Sequence, residues 1–237
     1  MYRLGLIACD VVPDELRDRF DDYPTMFEKA IASTSAKVQW QVYRAYREEL
    51  PNSANECDGY IMTGSRNSAF DTEQWIRSLE QFIVGLVDGG QPLVGICFGH
   101  QVIAQALGGK VEKSDHGWGI GLRRYRTAEY PMHDWMHPPA EEFTVPVCHQ
   151  DQVSELPQQA QLLASSKHCE NFMVQFNESM LGFQGHPEFN KDYIHTLLDL
   201  RELTITGATR ETALASLQRT GDNPTIMQWI VNFLGIH

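Results

Sequence analysis

The chain has 237 residues, with 31 acidic against 19 basic side chains and a formal net charge of −12. That length can bury a full core, as one large domain or two small ones, and the acidic balance argues against nucleic acid or an anionic membrane as partner. Five cysteines, an odd number without a Cys-x-x-Cys pair, give no disulfide framework and suggest a reducing compartment.

Residues 2–9 read as a first buried strand, too short an apolar run for a signal peptide and soon ended by Asp10. No stretch approaches the roughly 20 apolar residues of a membrane span, so a soluble cytoplasmic protein is expected. Asp10 to Pro13 is a turn, and the acidic residues 14–22 suit a solvated loop or short helix. Residues 23–33 carry Met26, Phe27, Ala30 and Ile31 at helical spacing; residues 38–43 alternate like a strand, then Pro51-Asn52-Ser53 breaks the chain. A third strand over residues 58–62 ends at Thr63-Gly64-Ser65. A glycine there suits a backbone amide exposed to a ligand at the binding edge of an open α/β sheet, or equally an ordinary turn. Asp71 followed by Gln74 reads as a helix-starting cap. Trp75, Ile76, Leu79, Phe82, Ile83, Leu86 and Val87 then form a core-facing stripe closed by Gly89-Gly90.

The next stretch is Gly95-Ile96-Cys97-Phe98-Gly99-His100-Gln101. It follows the short apolar run 91–94 and leads into Val102, Ile103, Ala106 and Leu107, one helix face stopped by Gly108-Gly109. A cysteine thus sits where a buried strand turns sharply into a helix, with glycine two residues either side to permit a strained turn and close approach. That is the pattern of a nucleophile elbow with sulfur in place of oxygen, and the helix N-terminus beside Cys97 favours thiolate over thiol. A buried structural cysteine fits the local pattern equally well.

Beyond Gly109 the runs shorten. Residues 119–125, 142–148, 171–176 and 180–184 read as antiparallel strands that continue the sheet and build a small accessory sheet. Tyr130 to Pro139 is a loop. His133 and His137 are four apart, but Pro131, Pro138 and Pro139 oppose a helix and no third ligand is near, so no metal is expected. His116, His168 and His195 have no evident partners and read as solvated or core-satisfied. The strand at 180–184 runs into Gly185-His186-Pro187-Glu188-Phe189. Proline at 187 holds His186 extended, so His186 and Glu188, two apart, can lie side by side. Histidine could then take the Cys97 proton while the carboxylate fixes its tautomer, which decides between the two readings of Cys97. Tyr193, Ile194, Leu197, Leu198 and Arg201 share a helix face, residues 209–217 form a shorter helix, and Asn223-Pro224 caps a closing amphipathic helix. Without repeats or a linker the chain reads as one doubly wound, mostly parallel α/β domain over residues 1–237, with the accessory antiparallel sheet.

In its motifs at 95–101 and 185–189 the chain resembles the class I (triad-type) glutamine amidotransferases, and in residues 63–71 with Trp75 it resembles their stand-alone, GMP-synthase-like branch. Two further stretches resemble that family in the same order: Met62-Thr63-Gly64-Ser65, like its oxyanion loop, and Cys148-His149-Gln150-Asp151, like its substrate loop. The chain departs from many members in having Thr63-Gly64-Ser65 for Gly-Gly-Pro and Gln150 for glycine. The resemblance implies a flavodoxin-like fold and a Cys97-His186-Glu188 triad. It implies an oxyanion hole from the amides of Gly64 and Phe98, with Gln101, Cys148, His149, Gln150 and Asp151 at the amino-acid end of the substrate.

The chemistry expected is hydrolysis of the glutamine side-chain amide through a γ-glutamyl thioester, with ammonia released and no cofactor. Such enzymes normally pass ammonia to a synthetase domain or subunit, yet the chain carries no Gly-x-x-x-x-Gly-Lys-[Ser/Thr] loop and no Ser-Gly-Gly-x-Asp-Ser run. A separate acceptor subunit is therefore one partner reading. A γ-glutamyl peptidase is the second function reading, suggested by residues 63–71 and Trp75, and a non-enzymatic binding module the third. Because residues 65–68 are polar, like a solvated rim, the protein alone is expected to cleave γ-glutamyl amides at a mouth open to leaving groups larger than ammonia.

Overall fold

The computed structural model describes residues 1–128 and 132–236; Tyr130 and Pro131, at the start of the expected loop, lie outside the described residues. In chain order the elements are β1 (Tyr2–Ala8), α1 (Asp14–Arg17), α2 (Tyr23–Ala32), β2 (Val38–Arg44), β3 (Gly59–Met62), α3 (Gln74–Gly89), β4 (Leu93–Ile96), α4 (Phe98–Ala106), β5 (Lys110–Lys113), β6 (Gly119–Thr127), β7 (Glu142–His149), β8 (Asp151–Glu155), β9 (Gln161–Ser165), β10 (Met173–Asn177), β11 (Met180–Phe183), α5 (Lys191–Leu200), α6 (Gly207–Ser216) and α7 (Asn223–Phe233). Nine strands form one sheet in the order β2-β1-β3-β4-β11-β10-β9-β6-β7, and β5 pairs with β8 in a separate two-stranded sheet. The first five are parallel to their neighbours, the last four antiparallel. This is the doubly wound architecture with an accessory sheet that the element order implies. One strand differs from expectation: β11 is not antiparallel to the central sheet. The β10–β11 hairpin reverses the chain, so β11 runs alongside β4 in the same direction. Among the described residues, no helix is long and apolar enough to cross a membrane.

The central strands are apolar nearly throughout because the sheet is covered on both faces. Leu4, Leu6, Ile61, Val94 and Ile96 pack on one side with Phe27 of α2 and Trp229 of α7. Their alternating neighbours Ile7, Tyr60, Met62 and Leu93 pack on the other with Ile76, Leu79 and Ile83 of α3 and Val102 and Ile103 of α4. A third cluster joins Val12 and Leu16 to Phe189, Tyr193, Ile194 and Leu197. The α3 stripe is narrower than its sequence implies: Trp75 and Phe82 are half-buried and Val87 is 41% exposed. Nor does Asp71 cap that helix. Glu73 holds the N-cap position without a side-chain bond, while the Asp71 carboxylate accepts from the Ser68 amide at 2.9 Å and closes the preceding turn. Helix α7 is preceded by Asp222 rather than capped by Asn223, and α5 ends before Arg201.

Between β4 and α4 the backbone strain falls on Cys97 itself, at φ 53° and ψ −102°. The flanking glycines serve close approach. A Cβ on Gly95 would lie 2.5 Å from the Gly99 carbonyl carbon, and one on Gly99 would lie 2.9 Å from the Met62 carbonyl oxygen. Strand β4, the first turn of α4 and β3 therefore touch backbone to backbone. Gly95→Ala is expected to destabilise the protein by about 2–3 kcal/mol through overpacking. Gly85→Ala, with nothing within 4 Å of the new methyl, should instead add about 0.5–1 kcal/mol by relieving helix-interior glycine. Urea unfolding midpoints of the two variants measure both, and a Gly95→Ala protein as stable as its parent would contradict the close packing.

Candidate active site

The register that pairs Phe183 with Ile96 brings the chain leaving β11 alongside the elbow, and the Cys97 amide donates to the Phe183 carbonyl at 2.7 Å. Gln184 and His186, two residues apart and both buried, follow that contact. The Gln184 carboxamide donates to Cys97 Sγ at 3.5 Å and accepts from Gln101 Nε2 at 3.0 Å. His186 Nδ1 donates to Glu188 Oε1 at 2.7 Å, so Nε2 is the nitrogen left for other partners, and the ring stacks on Phe189 with centroids 4.1 Å apart. The His186 and Glu188 side chains are 5% and 1% exposed. They meet across a turn, closed by the Phe189 amide on the His186 carbonyl at 3.2 Å, rather than along an extended segment. Asn223, in the first turn of α7, donates to the carbonyls of Pro187 and Phe189 at 2.8 and 2.9 Å and holds that turn from both sides.

Burial disfavours an imidazolium at His186, but the Glu188 carboxylate, followed by Cys97, outweighs it and raises the pKa well above the ordinary histidine value. Stability from this charge is fully present below about pH 6.5, the unfolded value, and is lost as pH rises through the raised folded value.

Gly64 lies directly against this pair. A Cβ there would stand 2.8 Å from His186 Cε1 and 3.5 Å from Cys97 Cβ, so only glycine lets the loop approach. Thr63 Oγ1 fixes the loop by accepting from the Cys9 amide at 2.9 Å and donating to the Gly64 carbonyl at 3.0 Å. Arg66 anchors its far end, with Nε and Nη2 on the two carboxylate oxygens of Asp10 at 2.8 and 2.9 Å. Gly64 and Phe98 are both buried. Among the described residues their amides have no hydrogen-bond acceptor, an unusual condition for buried N–H groups.

Cys97 opens into a cavity of about 220 Å³ whose walls include Gln101, Cys148, His149, Gln150 and Asp151. Of the sequence-predicted site residues, Cys97, Gln101 and residues 148–151 thus share one space, while Gly64, Phe98, His186 and Glu188 lie outside its lining. Gln101 Nε2 donates to the Asp151 carbonyl at 2.8 Å, and Ser68 Oγ donates to the Asp151 carboxylate at 2.5 Å, tying the 148–151 loop to α4 and to the Gly64 loop. His149 is a neutral group, its pKa pushed down to about 3 by burial and then by His168. Residues 65–68, which the sequence places at a solvated rim, also line it, as do Lys113, Trp118 and Arg201; the sequence singled out none of these last three as site residues. Gln184 was missed too, although its two-residue spacing from His186 is a signal; Asn223 carried none.

Of the other histidines, His168 comes near the cavity wall, its ring 6.2 Å from that of His149. His133 stacks on Trp135, exposed His195 faces Asp199, and the His116 and His168 rings lie 5.9 Å from each other. Among the described residues no group of three or more His, Cys, Asp or Glu is placed to hold a metal. A larger groove of about 540 Å³ lies against Glu188 but contains neither Cys97 nor Gly64.

The family model described as glutamine amidotransferase class-I matches residues 15–197. Gamma-glutamyl peptidase 5 of Arabidopsis thaliana is 35% identical over 166 residues, which cover 68% of this chain and 66%, just under two thirds, of that protein. Gamma-glutamyl peptidase 3 of the same plant is 31% identical over 206 residues, covering 84% and 80%. In fold, a crystal structure of a glutamine amido transferase from Methylobacillus flagellatus is similar with a TM-score of 0.78 at 23% identity, over 99% of this chain and 93% of that one.

Four of the five thiols are poorly placed to react: burial raises the pKa of Cys9, Cys57, Cys148 and Cys169. Cys97 alone combines a helix N-terminus, a donor at 3.5 Å and an opening to the cavity. Low-dose iodoacetamide followed by peptide mapping should label Cys97 first. Earlier labelling of half-buried Cys148 would overturn that ranking.

Proposed function

The chain belongs to the class-I glutamine amidotransferase family, and from that membership we propose that it hydrolyses the side-chain amide of glutamine or a related γ-glutamyl amide at Cys97. The observation that carries this is convergence: Cys97 opens on an amino-acid-sized cavity, and Gly64 packs against both Cys97 and the His186 ring that Glu188 holds.

Cys97 Sγ, as thiolate with its proton on His186, attacks the γ-carbonyl carbon. The oxygen takes up negative charge between the amides of Gly64 and Phe98, donors worth about 100- to 1000-fold each in such sites. As the carbon–nitrogen bond breaks, His186 hands its proton to the leaving nitrogen and a γ-glutamyl thioester remains. Water then enters, His186 takes one of its protons, hydroxide attacks the thioester and the carbon–sulfur bond breaks. Glutamate departs and the thiolate–imidazolium pair is restored. Glu188 holds the imidazole by Nδ1 throughout, and Gln184 positions the sulfur. Gln101 and the 148–151 loop hold the amino-acid end, with the Asp151 carboxylate facing the substrate ammonium.

A γ-glutamyl peptidase uses the same steps with an amino acid or peptide as the leaving group. The gamma-glutamyl peptidase names of relatives at 35% and 31% identity are consistent with it, and the polar, partly exposed 65–68 loop at the cavity mouth suits it. A separate acceptor subunit is the competing partner reading. The purified protein without partners is expected to turn over glutamine and γ-glutamyl dipeptides, measured as kcat/KM. Inertness toward all of them, relieved for glutamine by a second protein, would replace the stand-alone reading with the subunit one. Glu188→Gln should keep the fold by circular dichroism and lose about 10²- to 10⁴-fold in kcat as the imidazole loses its orienting partner. Unchanged hydrolysis in that variant would remove Glu188 from the mechanism.

A further inference from the structure

The charges on the cavity wall exceed what glutamine needs. Arg66 is neutralised by its two-point contact with Asp10, and Asp151 supplies one carboxylate. That leaves Lys113 and Arg201. Among the described residues neither has a carboxylate within ion-pairing distance, although the protein carries 31 acidic side chains. Two unpaired cations on one small cavity of an acidic protein concentrate the field there on anionic ligands.

Their placements differ. Lys113 ends β5 directly opposite Asp151 in the accessory sheet, beside the groups proposed to hold the glutamyl end. Arg201 follows the last turn of α5, is half-buried, and lies with its guanidinium 5.7 Å from the Trp118 ring centroid. Both Arg201 and Trp118 line the cavity onto which Cys97 opens. A guanidinium braced on an aromatic face is partly preordered for two-point binding of a carboxylate.

Glutamine carries one ammonium and one carboxylate, matched by Asp151 and Lys113. A γ-glutamyl amino acid carries one ammonium and two carboxylates, the second on the leaving group. We propose that Arg201, seated on Trp118, binds the free carboxylate of an amino-acid leaving group while Lys113 binds the glutamyl α-carboxylate, so that γ-glutamyl amino acids are preferred over glutamine. This rests on the γ-glutamyl hydrolase reading above and adds to it the residue that sets leaving-group preference.

The test compares γ-glutamylglycine, its C-terminal amide and glutamine on the purified full chain. The wild-type protein should favour the acid over the amide by about 10-fold or more in kcat/KM, mainly through KM, as expected for a charge-assisted contact. Arg201→Gln should bring that ratio to about 2 or less, and Arg201→Lys should restore part of it. Lys113→Gln should lower all three substrates alike and leave the ratio intact, because every one of them carries the α-carboxylate. The wild-type ratio needs no variant, so a misfolded mutant cannot hide the answer. Acid and amide cleaved equally, or a ratio unmoved in folded Arg201→Gln, overturns the role of Arg201 and leaves γ-glutamyl hydrolysis standing. Failure to cleave any of the three overturns the stand-alone hydrolase reading, and this inference with it.

Discussion

The site depends on one strained residue. A non-glycine backbone at φ 53° and ψ −102° costs on the order of 1–3 kcal/mol and persists only where its surroundings over-determine it. At Cys97 they do. Its amide is fixed to the Phe183 carbonyl, and its carbonyl accepts the Gln101 amide that starts the α4 ladder. Gly95 and Gly99 wedge strand, helix and β3 together at backbone contact. The sharp reversal has two chemical consequences. The thiol stands free of the sheet at the strand's C-terminal end, and the next amide, that of Phe98, is a first-turn helix donor with no acceptor in its own helix. The proposed nucleophile and one of its two proposed oxyanion donors are thus products of a single turn.

The proposed acid–base pair, His186 and Glu188, is set by quite different means. Burying a carboxylate and an imidazole is costly unless each compensates the other, and the 2.7 Å contact supplies the compensation. Glu188 Oε2 is nevertheless buried without a partner, so the pair is satisfied in one direction only, toward the histidine. What keeps the carboxylate from turning is the backbone on both sides of it. Asn223 grips the carbonyls of residues 187 and 189, and Phe189 in turn stacks on the His186 ring. The geometry of the base thus depends on the first turn of the C-terminal helix, far from it in sequence, and on the α5 cluster in which Phe189 is packed.

Patterns that are local in the sequence were legible, and those assembled by distant contacts were not. The strands and α3 follow from runs of apolar residues, and Cys97, His186 and Glu188 from spacing and from glycine and proline placement. Strands β5, β8 and β9 do not stand out in the sequence; Lys110-Val111-Glu112-Lys113, for one, buries a single apolar side chain. Asp71 looked like a cap because the cap and the Asx-type turn use the same residue, and the turn prevailed. Asp10–Arg66 and Asn223–Pro187 are 56 and 36 residues apart, and no periodicity announces such pairs. Arg201 looked like one more residue on an α5 face, but the helix ends at Leu200.

That last displacement bears on how a family of one chemistry acquires different substrates. The proposed triad, oxyanion amides and glutamyl-end contacts would act on atoms that glutamine and every γ-glutamyl amide share, so they could not choose between ammonia and an amino acid as the departing group. Ammonia offers nothing to hold; an amino acid offers a carboxylate. Discrimination must therefore reside in groups outside the shared machinery, on the leaving-group side of Cys97. Trp118 immediately precedes β6 and Arg201 immediately follows α5, and the family match at residues 15–197 stops short of Arg201. A residue just past a helix end can change without disturbing the sheet, the elbow or the His186 turn. Substrate preference can drift there while the strained cysteine and its partners stay fixed by packing.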